Sequence, residues 1–207
     1  MRYESLILDI DGTLWDSRAL VAEGYYIQLR SEGLEHLCVD AEALRPLFGK
    51  TMADIADVML AEIPVPERYA LMERCMDTEN RYLFQNECRI GYPKVKETLA
   101  KLSKKHRLFI VSNSQCGYPE LCIDKLGLGE CIQGHMCFGD TGTSKGQTIL
   151  TLMKKHNISS CIYIGDTQGD LEACEEAGVP FIYCGFGLGQ AERWDMKIDQ
   201  FEDLLKL

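Results

Sequence analysis

Two aspartates one residue apart, Asp9 and Asp11, close the apolar run Leu6-Ile7-Leu8 and are followed at once by Gly12. In an extended chain residues i and i+2 point the same way, so both carboxylates face one site. Like charges held that close repel and raise each other's pKa. A divalent cation compensates, and so does a role that keeps one of the pair protonated. Asp11-Gly12 also reads simply as a turn dipeptide, so this segment leaves both readings open. Three further stretches carry comparable residues. "VSNS" offers Ser112, Asn113 and Ser114; "IGDTQGD" offers Asp166 and Asp170; "GDTGTSKGQ" offers Lys145. Together they supply carboxylates, hydroxyls and an ammonium. That inventory suits phosphoryl transfer, which needs an in-line nucleophile, a cation and donors around the phosphoryl oxygens.

The elements that position these residues follow from periodicity. Residues 6–8 and "RLFIVS" (107–112), "HMCFG" (135–139), "CIYIGD" (161–166) and "PFIYCG" (180–185) read as buried strands. Between them, residues 93–105, 118–126, 145–156 and 168–177 read as helices, the second and last stopped by Gly127 and Gly178. "QFEDLLKL" reads as a short helix at the end of the sequence. Strand–helix alternation with short links predicts an α/β fold, a Rossmann-like parallel sheet covered by helices. Ligands in such sheets bind at the carboxyl ends of the strands, where three of the four polar stretches fall; Lys145 comes in at a helix start. Residues 16–88 break the rhythm with helical patterns at 18–31, 41–48, 51–62 and 66–86. The stripe Tyr69, Met72, Met76 and Leu83 reads as packing inside a small bundle. The expected organisation is a catalytic core of 1–15 and 89–207 with an all-helical cap, 16–88, inserted after the first strand.

Composition narrows the function classes. A net charge of −10, spread along 207 residues, argues against nucleic acid or an anionic membrane as the main partner. No run approaches a membrane span, and Met1-Arg2-Tyr3-Glu4 leads straight into a strand. The ten cysteines form no C-x-x-C pair, and Cys122, Cys161, Cys174 and Cys184 sit in apolar segments. Reduced thiols in a cytoplasmic protein are expected. The four histidines lack zinc-ligand spacing. Glycine-rich "CGFGLG" (184–189) follows a strand without a helix start in register and reads as a plain loop.

"DIDGTLWDS", "VSNS" and "IGDTQGD", with a lysine between the last two, make the chain resemble the haloacid dehalogenase-like superfamily, within it the phosphoglycolate phosphatase-like group with a helical cap. The resemblance implies that Asp9 is the nucleophile and Asp11 the general acid–base, its backbone carbonyl also a metal ligand. It further implies that Asp166 binds Mg²⁺ and that Asp170 supports the metal shell or the lysine; Ser112, the Asn113 backbone and Lys145 are the expected donors that hold the phosphate. Asp11 argues against dehalogenation, because a halide leaves without needing a proton. Two departures stand out: the lysine is followed by Gly146 rather than proline, and "LFGKTM" (47–52) only resembles the family's substrate loop. Lys50, with Arg45, is the expected charge contributed by the cap. The implied activity is Mg²⁺-dependent hydrolysis of a small phosphorylated metabolite, phosphoglycolate-like or a sugar phosphate, by a monomer or homodimer. A sugar phosphomutase and a non-catalytic binding protein are the alternatives.

Overall fold

A computed structural model describes residues 3–207; Met1 and Arg2, part of the N-terminal reading above, lie outside the described residues. The elements in chain order are β1 (Ser5–Leu8), α1 (Arg18–Ser31), α2 (Ala41–Leu44), α3 (Met52–Met59), α4 (Glu67–Gln85), α5 (Val95–Leu102), β2 (Arg107–Ser112), α6 (Tyr118–Leu126), β3 (Ile132–Cys137), α7 (Phe138–Thr141), α8 (Lys145–Lys155), β4 (Cys161–Gly165), α9 (Gln168–Ala177), β5 (Phe181–Cys184) and β6 (Met196–Ile198). Short 3₁₀ turns cover Glu35–Leu37, Arg45–Leu47 and Phe201–Lys206.

The six strands form one parallel sheet in the order β3-β2-β1-β4-β5-β6. The sheet grows outward from β1 in both directions, so its switch point, where ligands bind in such sheets, lies at the end of β1. Side-chain alternation divides the apolar residues between the two faces. Leu6, Leu8, Leu108, Ile110, Ile162 and Ile164 pack on one side. Ile7, Phe109, Val111, Cys161 and Tyr163 pack on the other. Every strand residue named here is buried, which is why the central strands read as continuous apolar runs.

Helices α1 to α4 leave the sheet after β1 and return before α5. Their two connections are zipped together: Asp16 N–H donates to Ile90 O at 2.9 Å, Tyr92 N–H to Leu14 O at 3.0 Å, and Trp15 bridges Gly91 antiparallel. Trp15 itself is fully buried and meets Tyr118 edge-on at 5.5 Å.

Several expectations need correction. The third strand spans Ile132–Cys137 instead of 135–139, because Phe138 already begins α7, whose start Asp140 caps by accepting from Cys137 N–H at 2.8 Å. The helix expected at 41–48 is four residues of α-helix followed by a 3₁₀ turn, since Pro46 removes a donor. Within α4, Met72 and Leu83 are buried, but Tyr69 is largely exposed and its hydroxyl pairs with Asp57. Edge strand β6 was not expected at all. All ten cysteines are free. Among the described residues no helix is long and apolar enough to cross a membrane.

Candidate active site

The residues singled out from sequence gather at the switch point. Asp9, Asp11, Ser112, Asn113, Lys145 and Lys50 line one cavity between the sheet edge and the helical insertion. Asp9, Asp166 and Asp170 each offer a carboxylate oxygen within 4.8 Å of the other two. Asp9 follows β1 directly, its N–H donating to Ile164 O at 2.9 Å.

Lys145 enters at the first turn of α8, whose start Ser144 caps by accepting from Gln147 N–H. It is 6% exposed, and its Nζ lies 2.9 Å from Asp9 Oδ1 and 2.6 Å from Asp170 Oδ1. Burial alone favours loss of its proton, but Asp170 and Asp9 outweigh that and hold the ammonium above its ordinary pKa. Gly146, where the family pattern has proline, lets α8 lie close on α9: a Cβ there meets Glu176 at 2.4 Å.

Asp170 belongs to the capping box of α9. Its Oδ2 accepts from Asp166 N, Thr167 N and Thr167 Oγ1 at 3.1, 3.0 and 2.8 Å. Burial pushes its pKa up, yet Lys145 and these donors bring it below the ordinary carboxylate value. Tyr163 closes the cluster from beneath. Its hydroxyl donates to Val111 O at 3.0 Å and sits 3.4 Å from Asp9 Oδ1 and 3.3 Å from Asp170 Oδ1.

Asp166 is held differently. Its Oδ2 accepts from Leu188 N at 2.7 Å and Gly189 N at 2.9 Å, while its Oδ1 is buried without any hydrogen-bond partner. Burial first, and then the charge of Asp170, raise its pKa to about 7 despite those two amides. Glycines make this fit possible. A Cβ on Gly12 falls 2.1 Å from Asp166 Oδ2, and one on Gly187 falls 2.3 Å from Asp166 Cβ. Burial likewise drives the Asp9 carboxyl well above its usual range, against the pull of Lys145. Three carboxylates face one ammonium here. The surplus negative charge, the closely grouped oxygens and the orphaned Asp166 Oδ1 fit a small divalent cation with oxygen ligands.

Asp11 occupies a cage of neutral donors. Trp15 Nε1, Ser17 Oγ and Tyr118 OH reach its Oδ1 at 2.8, 2.7 and 2.9 Å. No described residue donates to its Oδ2. Burial raises its pKa to about 6, with Ser17, Tyr118 and Trp15 pulling the other way. Asp9 and Asp11 thus share a cavity in unlike environments, the arrangement that separates the roles of two carboxyls.

Two of the residues named from sequence also make contacts between the helical insertion and the core. The Asn113 side chain reaches across to Gly49 O at 2.7 Å, and Arg45 Nε donates to Leu188 O at 2.9 Å. Lys50 is exposed where it reaches the cavity. Ser112 is buried, its Oγ accepting from Ser114 N at 3.2 Å.

Sequence reasoning missed Trp15, Ser17, Tyr118, Tyr163 and the 187–189 backbone, which act through tertiary contact or main-chain amides. It also missed Glu79, a carboxyl in the cavity wall. The signal there was available: Glu79 follows Met72 by seven residues, placing a charge on an apolar helical face. Outside the cavity, Cys116, Cys137 and Asp140 approach within 4.8 Å of one another.

The model of the haloacid dehalogenase-like hydrolase family matches residues 6–184. A phosphoglycolate phosphatase of Aquifex aeolicus is 27% identical over 98% of this chain and 95% of its own length. One from Xanthomonas campestris is 26% identical over 96% of this chain and 92% of its own. Among solved structures, a haloacid dehalogenase-like family hydrolase of Streptococcus pneumoniae superposes with a TM-score of 0.80 at 17% identity, covering 99% of this chain and 98% of the other. A hydrolase of the same superfamily from Geobacter sulfurreducens gives 0.72 at 16% identity, covering 99% and 96%.

Proposed function

The chain belongs to the haloacid dehalogenase-like hydrolases, and on that premise we propose that it is a Mg²⁺-dependent phosphatase. Its substrate is a small phosphomonoester, with phosphoglycolate and sugar phosphates as the starting candidates, cleaved through an aspartyl-phosphate on Asp9. The observation that carries this reading is the pair of unlike carboxyls on one cavity: Asp9 against Lys145, and Asp11 among neutral donors with a pKa of about 6.

Asp9 Oδ1 is engaged by Lys145, while no described residue donates to its Oδ2, which is left to attack phosphorus. As the bond from phosphorus to the leaving oxygen breaks, Asp11 passes its proton to that oxygen. The Asp11 carboxylate then takes a proton from water, and the resulting nucleophile hydrolyses the acyl phosphate. A pKa near 6 suits both halves, since each protonation state is populated near neutrality. Ser112 Oγ and the Asn113 backbone are the donors for phosphoryl oxygens, and Lys145 keeps Asp9 oriented. Asp9, Asp166, Asp170 and the Asp11 carbonyl are the residues to hold Mg²⁺. When bound, the cation neutralises phosphoryl charge as it develops. Residues 16–88 serve as a lid over the organic part of the substrate, hinged at the paired connections and latched by Asn113 and Arg45.

The test is phosphate release from a panel of small phosphomonoesters, with Mg²⁺ and with excess chelator, by the wild type and Asp9→Asn. Hydrolysis that needs both Mg²⁺ and Asp9 is expected. Full activity in chelator overturns the metal assignment, and full activity of Asp9→Asn overturns the mechanism.

A further inference from the structure

Helix α4 carries Glu79 on its inner face, 3% exposed and in the wall of the same cavity as Asp9 and Asp11. Tyr25 and Gln115 are its hydrogen-bonding neighbours, yet its Oε2 is buried with no partner. The position is built closely. Helix α1 passes so near that a Cβ on Gly24 falls 2.8 Å from Glu79 Cα, so only glycine lets the backbones meet there. The surrounding cap wall is apolar: Val21, Leu44, Leu47, Met52 and Ile55. Among the described residues no lysine or arginine pairs with Glu79. Of the two lysines lining the cavity, Lys145 is committed to Asp9 and Asp170, and Lys50 is exposed. A buried carboxyl oxygen without a donor is costly and gains most from a ligand that supplies one.

The space limits the ligand. The cavity measures about 50 Å³, room for roughly four water-sized groups at ~10–15 Å³ each. Beside a phosphoryl group at Asp9, that space favours a short organic chain.

From the phosphatase reading above, on which this step rests, we propose that Glu79 determines specificity. It accepts a hydrogen bond from a hydroxyl or ammonium on the organic part of the phosphomonoester. A substrate ending in a carboxylate instead offers Glu79 no donor and sets its charge against a buried, apolar wall, where Lys145 is committed to Asp9 and Asp170 and Lys50 is exposed. Phosphoglycolate, the ester in the names of the curated relatives, is such a substrate. This chain therefore acts on small, donor-bearing alkyl phosphates and discriminates against phosphoglycolate.

Four esters of similar size separate the possibilities: glycerol 3-phosphate (hydroxyl), phosphoethanolamine (ammonium), propyl phosphate (neither) and phosphoglycolate (carboxylate). The readouts are kcat/KM with Mg²⁺ and, independently of turnover, calorimetric binding to Asp9→Asn. One donor-bearing ester is expected to exceed both propyl phosphate and phosphoglycolate by about 10- to 100-fold, the scale of one charge-assisted hydrogen bond. Glu79→Ala should bring that ratio towards one. Glu79→Gln, which keeps the shape, should retain a hydroxyl preference and lose an ammonium preference, so it names the donor. Phosphoglycolate as the best ester, or a ratio unmoved in a folded Glu79→Gln or Glu79→Ala variant, overturns the assignment. Hydrolysis without the expected order refutes Glu79 and keeps the phosphatase; binding in that order without hydrolysis does the reverse. Neither binding nor hydrolysis of any ester overturns both.

Discussion

Replacing Gly187 by alanine perturbs the seat of Asp166 without removing a polar atom. The added Cβ falls 2.3 Å from Asp166 Cβ and 2.6 Å from the Gly12 carbonyl oxygen. The first contact is about 1.2 Å short of the ~3.5 Å at which two carbons rest, and the second meets main chain that has no rotamer to adopt. Either Asp166 or the 187–189 loop must move, and both shifts disturb the bonds from Leu188 N and Gly189 N to Asp166 Oδ2. Disturbing groups that orient a metal ligand costs about 10- to 100-fold in metal affinity, or roughly 1.4–2.8 kcal/mol. Gly185→Ala is the matched control. Its Cβ meets the flexible end of Lys197, which can swing aside. The assay is Mg²⁺ titration of hydrolysis, with Mg²⁺ binding by calorimetry, for both variants, after circular dichroism shows them folded. Gly187→Ala should need 10- to 100-fold more Mg²⁺, and Gly185→Ala close to the wild-type amount. Equal Mg²⁺ requirements in two folded variants would refute the view that the loop holds a metal ligand in place.

Asp11→Asn should slow hydrolysis of alkyl phosphates on the order of 10²–10⁴-fold. The loss should shrink for single-turnover nitrophenolate release from nitrophenyl phosphate, whose leaving group needs little protonation; equal losses contradict proton transfer by Asp11. In chelator, thermal stability should fall as pH rises between about 5 and 8. Glu79, raised by burial to about 8, binds more protons folded than unfolded over that window. Its share is at most about 1.4 kcal/mol per pH unit, complete once pH passes the folded pKa. Glu79→Gln should flatten the melting-temperature profile, and an unchanged slope refutes the assignment. Arg45→Ala removes the bond to Leu188 O from a half-exposed side chain. It should raise KM roughly 2- to 10-fold and speed amide exchange in α2 and α3; unchanged values for both would show that Arg45 latches nothing.

The core of the site was legible because its residues are tied to local signals. Asp9, Ser112 and Asp166 each follow an apolar run, and a parallel sheet brings the ends of such runs together whatever the strand order. Asp170 was legible because it caps the helix behind Asp166. Edge strand β6 escaped notice because Met196-Lys197-Ile198 is short and carries a lysine, with Met196 exposed. Edge strands have only one covered side and lose the apolar run that marks central ones. The loop at 184–189 read as a connection, and its structure is one. Its contribution to Asp166 comes from main-chain N–H groups, which no side-chain identity announces. The Asp11 cage depends on Tyr118, 107 positions away, and such pairs emerge only from the tertiary fold. The approach of Cys116 to Cys137 follows from the parallel pairing of β2 and β3, which no local spacing announces.

The order in which the chain emerges from a ribosome gives the central place of β1 a further consequence. Its neighbours lie far downstream, Ser5 pairing with Arg107 on one side and Cys161 on the other. At a synthesis rate of about 5–20 residues per second, β1 waits roughly 5–20 s for β2 and roughly 8–30 s for β4. Throughout that interval Leu6, Ile7 and Leu8 have two unpaired edges, the condition that invites pairing with another chain. Helices α1 to α4 are made during the wait and draw mostly on contacts among themselves, α1 against α4 above all. They can form early and shelter the strand they follow. A nascent chain deprived of that helical segment should therefore be more prone to aggregate on the ribosome than the whole chain, which pelleting of stalled translation complexes would measure.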